Sequence, residues 1–253
     1  MSQEYVMKTL KSVPLVKEEP VLILGKKTDY KAIVDTDTTE TLSIVSNDYQ
    51  LLQHKEVYET IQNMGKYSFR DATLFNKGKA LMIELEPAKN TKIELLPGDY
   101  IEPRVRIFNS YDKSRALSVQ SFGLRLVCSN GMMAPGFSDI YHRSHMHQNI
   151  DIDMLSKQID IAFVAWNNTP EILKKATQVE VEVGVVVDGI RHFSDKYKKI
   201  VTEHLDEKAT VYDLYNELTR TITHDIAPNI STDRLVYLQK QANTVFKYVE
   251  DEN

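Results

Sequence analysis

Apolar and polar positions alternate through the first half of the chain. VLILG at 21–25, KAIVD at 31–35 and TLSIVS at 41–46 are short, rich in branched side chains and separated by polar turn material, so they predict the strands of a small sheet. After Asn47 and Asp48 the period changes: Leu51, Leu52, Val57, Tyr58, Ile61 and Met64 fall at helical intervals before Gly65, which predicts a first helix. Two strand-like runs then flank Asn76, Lys77 and Gly78, a hairpin signal. A second pair carries Val105 and Ile107, then Leu117 and Val119, around the polar turn 109–114.

From about residue 150 the helical period takes over. Leu155, Ile159, Ala162, Phe163 and Trp166 share one face, and Pro170 sits where a further helix begins. Three amphipathic helices follow, marked by Phe193, Tyr197, Ile200 and Val201; by Val211, Leu214, Tyr215, Leu218 and Ile222; and by Leu235, Leu238, Ala242, Val245 and Phe246. Residues 172–190 fit helix and strand equally, because Val179, Val181, Val183, Val185 and Val187 alternate while Ile172, Ala176, Val179, Val183, Val186 and Ile190 make a helical stripe. The pattern predicts an α+β protein: residues 1–150 as an antiparallel β-rich domain with one helix, residues 151–253 as a mainly helical part packed on it.

Charge refines this picture. The total is −5, from 31 basic and 36 acidic side chains among 253 residues, which argues against a protein coated in positive charge. Residues 101–150, however, hold 6 basic and 3 acidic side chains, a local island of Arg104, Arg106, Lys113, Arg115, Arg125 and Arg143. Aromatic side chains are interleaved there, including Phe108, Phe122 and Tyr111, and cations mixed with rings suit a single nucleic-acid strand. An ordinary sheet with a solvated outer face produces the same mixture. No apolar run approaches the ~20 residues of a membrane helix, and the first residues lack a secretory pattern, so a cytoplasmic protein with no membrane partner is expected, in the host cytoplasm for a viral gene.

Candidate chemistry is sparse. Cys128 is the only cysteine and reads as a small buried hydrophobe rather than a nucleophile. His142, His145 and His147 cluster, yet no second group with ligand spacing completes a metal shell, so loop or anion contacts explain them better. The pairs Asp151 and Asp153, and Glu180 and Glu182, read as a helix start or solvated faces. Phosphate-cradling and hydrolase motifs are absent from the sequence, and the expectation is a protein that is no enzyme and needs no cofactor. A metal-dependent nuclease built on the three histidines and nearby acids is the enzymatic alternative.

Three stretches carry a likeness. FNSYDKSRALSVQSFGLRLVCSNGM followed by YHRSH resembles the core of the plasmid and phage-like proteins grouped as domain of unknown function family 932, through Asn109, Ser110, Asp112, Ser114, Arg125, Val127, Cys128, Ser129, Asn130, Gly131, Arg143 and His145. TVYDLYNELTRTITHD is similar to that family's C-terminal helix through Asp213, Tyr215, Asn216, Thr219 and His224, with Tyr212 where the family often has tryptophan. VSNDYQLLQHKEVYETI is similar to its first helix, so the likeness spans roughly residues 40–230. The resemblance implies a mobile-DNA setting. By analogy of element order, single-strand annealing proteins of the Rad-fifty-two and Erf type imply binding of single-stranded DNA and a homo-oligomeric ring. On that reading Arg104, Arg106, Lys113, Arg115, Arg125, Arg143 and His145 contact phosphates, Asn109 adds a polar donor, and Phe108 or Tyr111 stack on bases. The alternative is a non-enzymatic accessory protein acting through protein contacts, with Tyr197, Tyr212, Tyr215, Tyr237 and Tyr248 as an interface.

Overall fold

The computed structural model describes residues 3–89, 92–125, 131–133, 141–145, 150–230 and 232–250. Helix α1 (Gln3–Lys11) buries Val6 and Leu10, one turn apart. Strands β1 (Val16–Ile23), β2 (Lys26–Asp35) and β3 (Thr41–Ser46) form an antiparallel sheet in that order. Val16, Ile33 and Val45 face a core shared with Leu42, Tyr49 and Tyr111. Helix α2 (His54–Met64) begins later than its apolar spacing predicts: Gln53 and Glu56 form the capping box, and Tyr49 to Leu52 are non-helical. Gly65, at φ 63°, ends it in the left-handed conformation.

A seven-stranded antiparallel sheet follows. Its strands are β4 (Tyr67–Phe75), β5 (Ala80–Pro87), β6 (Ile93–Leu96), β7 (Asp99–Ser110), β8 (Leu117–Arg125), β9 (Gly131–Met133) and β10 (Tyr141–Arg143). The path runs β10-β8-β7-β5-β4, with β6 paired to β7 and β9 to β8. Ile83 lies opposite both Ala72 and Ile107, so one face of these strands is apolar, as the alternation predicts.

The helical part opens with α3 (Ile152–Val164), a 3₁₀ turn at Ala165–Asn168, and α4 (Thr169–Ala176) with Pro170 in its first turn. The ambiguous valine-rich stretch resolves into both forms: β11 (Glu180–Glu182), then α5 (Val183–Gly189). Helix α6 (Asp195–His204) leads to β12 (Lys208–Thr210), which pairs with β11. Next come α7 (Val211–Arg220), a π-helical segment at Thr221–Ile226, α8 (Thr232–Asn243) and α9 (Lys247–Glu250). The architecture is α+β: antiparallel sheets with an early helix, followed by a helical C-terminal part.

The chain divides into two compact units that do not follow the expected cut at residue 150. Unit 1 comprises Met1–Asn90, Arg104–Gln120 and Asp139–Ala162; unit 2 comprises Thr91–Pro103, Ser121–Ser138 and Phe163–Asn253. The start of β7 and the end of β8 thus group with the helices, where Ile101 joins Trp166, Leu173, Leu214 and Leu218 in one core. This division locates the charge: unit 1 holds 18 basic and 18 acidic side chains, unit 2 holds 13 and 18. The whole net charge of the protein belongs to unit 2.

Gly123 sits at a close approach in the unit 2 core. A Cβ there would lie 2.5 Å from Ile101 Cδ1 and 2.9 Å from Trp166 Cη2, both on buried side chains. Gly123→Ala is therefore expected to destabilise the protein by about 1–3 kcal/mol through overpacking. Urea denaturation measures this, and a change below about 0.5 kcal/mol would show that the core yields at little cost.

Candidate functional site

The polar motif at the end of β7 is a buried network in unit 1. Asn109, Ser110 and Tyr111 are fully buried, as is His54 at the start of α2. Asn109 Nδ2 donates to Leu52 O at 3.0 Å and to His54 Nδ1 at 2.9 Å, while His54 Nε2–H donates to Gly78 O at 3.1 Å. Both ring nitrogens are thus committed and the imidazole is neutral; burial pushes its pKa down to about 3. The Tyr111 hydroxyl accepts from His54 N at 2.8 Å and donates to Pro14 O at 3.1 Å, and its ring stacks on His54 with centroids 3.9 Å apart. Tyr49 donates to Ser110 O at 2.6 Å, and Ser43 donates to Tyr111 O at 2.6 Å.

His145 belongs to the same framework. Its Nδ1–H donates to Gln50 O at 2.8 Å, its own carbonyl accepts from Gln50 N at 2.8 Å, and its ring stacks on Tyr49. Burial lowers its pKa as well. These contacts pin the segment after β10 onto the strand-to-helix loop before α2. Asn109, Tyr111 and His145 therefore act as framework residues: Asn109 Nδ2, the Tyr111 hydroxyl and His145 Nδ1 bond buried backbone carbonyls, and all three side chains are enclosed, which argues against direct contact with nucleic acid.

The arginine row is corrected on similar grounds. Arg104 and Arg106 do share a face opposite Val105 and Ile107, but the register places Glu84 directly across from Arg106. Arg106 Nε lies 3.4 Å from Glu84 Oε2, and Arg104 forms an ion pair with Glu86. Arg104 is 3% exposed and Phe108 2%. Burial pushes the Glu84 carboxyl up, against the pull of Arg106 and Arg104. Their charges are already matched across the sheet, and extracting either one to meet a phosphate would strand its carboxylate.

What remains of the basic island gathers at one end of the sheet. The β4–β5 connection carries Lys77 and Lys79, and the β7–β8 connection carries Lys113 and Arg115. Ala80 pairs with Ser110, and Tyr111 N donates to Lys79 O at 2.7 Å, so the two connections adjoin. Arg143, at the end of β10, stands opposite Leu117 at the start of β8. Lys77, Lys113 and Arg143 are exposed, and the Arg115 guanidinium lies 4.5 Å above the Phe108 ring and 5.3 Å above Phe75. Ser114 N donates to Asp112 Oδ1, an Asx turn that holds the tip while Lys113 takes a φ of 63°. Lys77 and Lys79 escaped the sequence reading because they stand outside 101–150, and only strand pairing brings them to this end.

Other candidates are distributed differently. Arg125 lies in β8 and His142 in β10, but their side chains fall outside the described residues, as do Cys128 and His147 entirely. Among the described residues no group of three histidine, cysteine, aspartate or glutamate side chains could hold a metal. Asp151 accepts from Asp153 N at the start of α3, a helix-start role. In unit 2, Asp213 N donates to the capping hydroxyl of Thr210, Tyr215 packs on Phe246, and Thr219 bonds back to Tyr215 O. Tyr197, Tyr212, Tyr237 and Tyr248 pack partly buried against the same core, which explains them as well as an interface would.

The family likeness now has a structural meaning: within unit 1 its signature residues build the framework that presents the basic connections. No curated protein and no solved structure matches the chain. The family described as Domain of unknown function (DUF932) matches residues 41–250, more than four-fifths of the 253 residues, and the chain belongs to that family.

Proposed function

We propose that the protein binds single-stranded DNA and promotes strand annealing, with the basic end of the seven-stranded sheet meeting the phosphates. The observation that supports this reading is the convergence of Lys77, Lys79, Lys113, Arg115 and Arg143 from three separate elements of a unit whose total charge is zero. Flexible lysines on exposed turns suit sequence-independent phosphate contact, and the framework beneath them supplies rigidity. Stacking by Phe108 or Tyr111 is withdrawn, since both rings are buried. The mobile-DNA setting implied by the family likeness agrees with a recombination or replication role.

The test is a titration of labelled single-stranded DNA across a range of salt. Each phosphate contact contributes about 0.7 to the log–log salt slope on a single strand, so Lys77→Ala with Lys113→Ala should flatten it by about 1.4. Absence of binding by the folded wild type at low salt would falsify the reading. An unchanged slope in the double variant would move the interface elsewhere. The alternative, an accessory protein acting through protein contacts, draws support from an exposed apolar hairpin described next.

A further inference from the structure

The β1–β2 hairpin ends in an apolar tip that is left exposed among the described residues. Leu22 is 54% exposed, Ile23 63% and Leu24 98%. Ile23 pairs with Lys26, leaving Leu24 and Gly25 as a two-residue loop, with φ of 48° and 76°. Two consecutive left-handed residues are the signature of a type I′ turn, whose first position favours asparagine or aspartate and resists a large aliphatic side chain. A leucine placed there, fully in water and in a disfavoured conformation, is explained by something it meets outside the fold. Directly behind the tip, Lys26 and Lys27 form an exposed basic collar.

Unit 2 carries the complement. A cleft of about 390 Å³ beside β12 is lined by the half-buried Leu205 and Ala209 and rimmed by Glu180, Glu203, Asp206 and Asp213, with Lys208 and His204 also at its edge. The cleft is mainly polar and acidic, with Leu205 and Ala209 as its apolar spots, and this suits an apolar tip behind which lysines stand. The contrast is sharpened by the charge division, since unit 2 holds 13 basic and 18 acidic side chains.

We propose that the β1–β2 hairpin is a docking arm that seats in the cleft beside β12 of a second copy of this chain. Leu24 and Ile23 cover Leu205 and Ala209, while Lys26 and Lys27 pair with Glu203 and Asp206. The two surfaces are different, so the contact is heterologous and propagates: each copy offers one arm and one cleft, and the product is a ring or an open chain. An anionic membrane is the less suited partner, because three aliphatic side chains make a single weak anchor. The inference stands apart from the DNA reading, since self-association is measured without nucleic acid.

Sedimentation velocity of the full chain tests it. The wild type should assemble with rising concentration and dissociate with rising salt. Leu24→Asn suits the turn better and keeps the fold, yet should weaken association roughly tenfold to a hundredfold by removing one buried leucine. Lys26→Glu with Lys27→Glu, and separately Glu203→Lys with Asp206→Lys, should each give monomers. Mixing those two variants at low salt should restore assembly, because the acidic tip of one then meets the basic cleft of the other while its own acidic cleft receives the unaltered basic tip. A wild type that is monomeric at every concentration overturns the proposal. So does a Leu24→Asn protein that assembles as the wild type does, a mixture that stays monomeric, or hairpin-dependent binding to phosphatidylserine vesicles without self-association. Native emission from Trp166 in each variant separates lost association from lost folding.

Discussion

Replacing Asn109 by leucine is expected to lower stability by about 2–5 kcal/mol while leaving the shape of the side chain nearly unchanged. The amide nitrogen of Asn109 serves two buried acceptors, Leu52 O and His54 Nδ1. Leucine fills the space and supplies no donor, so both acceptors are stranded away from water, at about 1–3 kcal/mol each. His54 cannot compensate by changing tautomer, because its Nε2–H is committed to Gly78 O. Equilibrium unfolding in urea reads the effect, and a loss below about 1 kcal/mol would mean that the network relaxes or admits water. Single-stranded DNA binding by the fraction still folded should be unchanged if Asn109 is a framework residue. A binding defect in fully folded Asn109→Leu protein would restore the direct role that the sequence suggests.

Stability should also fall as the solution is acidified from pH 7.5 to 5, well before ordinary carboxylates titrate. His54 has a pKa of about 3 in the folded protein against about 6.5 in the unfolded chain. Above pH 6.5 neither state binds the proton and the full stability is present. Between pH 6.5 and 3 the unfolded chain takes up a proton that the native state refuses, so stability declines by about 1.4 kcal/mol per pH unit. From His54 alone the loss at pH 5 is about 2 kcal/mol, and His145, shifted in the same direction, adds to it. Urea midpoints at pH 7.5, 6.5 and 5 test this. A midpoint that is flat or rises toward pH 5 contradicts the buried neutral imidazoles.

The elements were legible where a single period ran unopposed. Strand β3, the hairpin around Lys77 and the amphipathic α7 follow directly from spacing, whereas the apolar run at 21–25 holds only the end of β1 and the turn after it. Helix α1 was just as readable from Val6 and Leu10, and passed unnoticed in a short, charged N-terminal segment. The valines at 179–187 satisfied both templates because both are present, three residues of strand running into a helix. Alternation also placed Arg104 and Arg106 on one face correctly. It carried no information about register, and register is what sets Glu84 and Glu86 of a neighbouring strand against them. Asn109, Ser110 and Tyr111 misled for a related reason: a polar cluster beside a turn looks like ligand chemistry until the backbone groups it satisfies are known. Those groups belong to Pro14, Leu52 and His54, far away in the chain.

Trp166 gives the molecule an optical asymmetry. It is the only tryptophan in the sequence, it is fully buried in unit 2 against Ile101 and Gly123, and its indole N–H has no hydrogen-bond partner among the described residues. Excitation at its red edge therefore interrogates unit 2 alone, with emission expected at short wavelength and shielded from iodide. The acid-sensitive histidines lie in unit 1. Comparing tryptophan emission with far-ultraviolet circular dichroism along the same acid titration would show whether the two units melt in one transition or two.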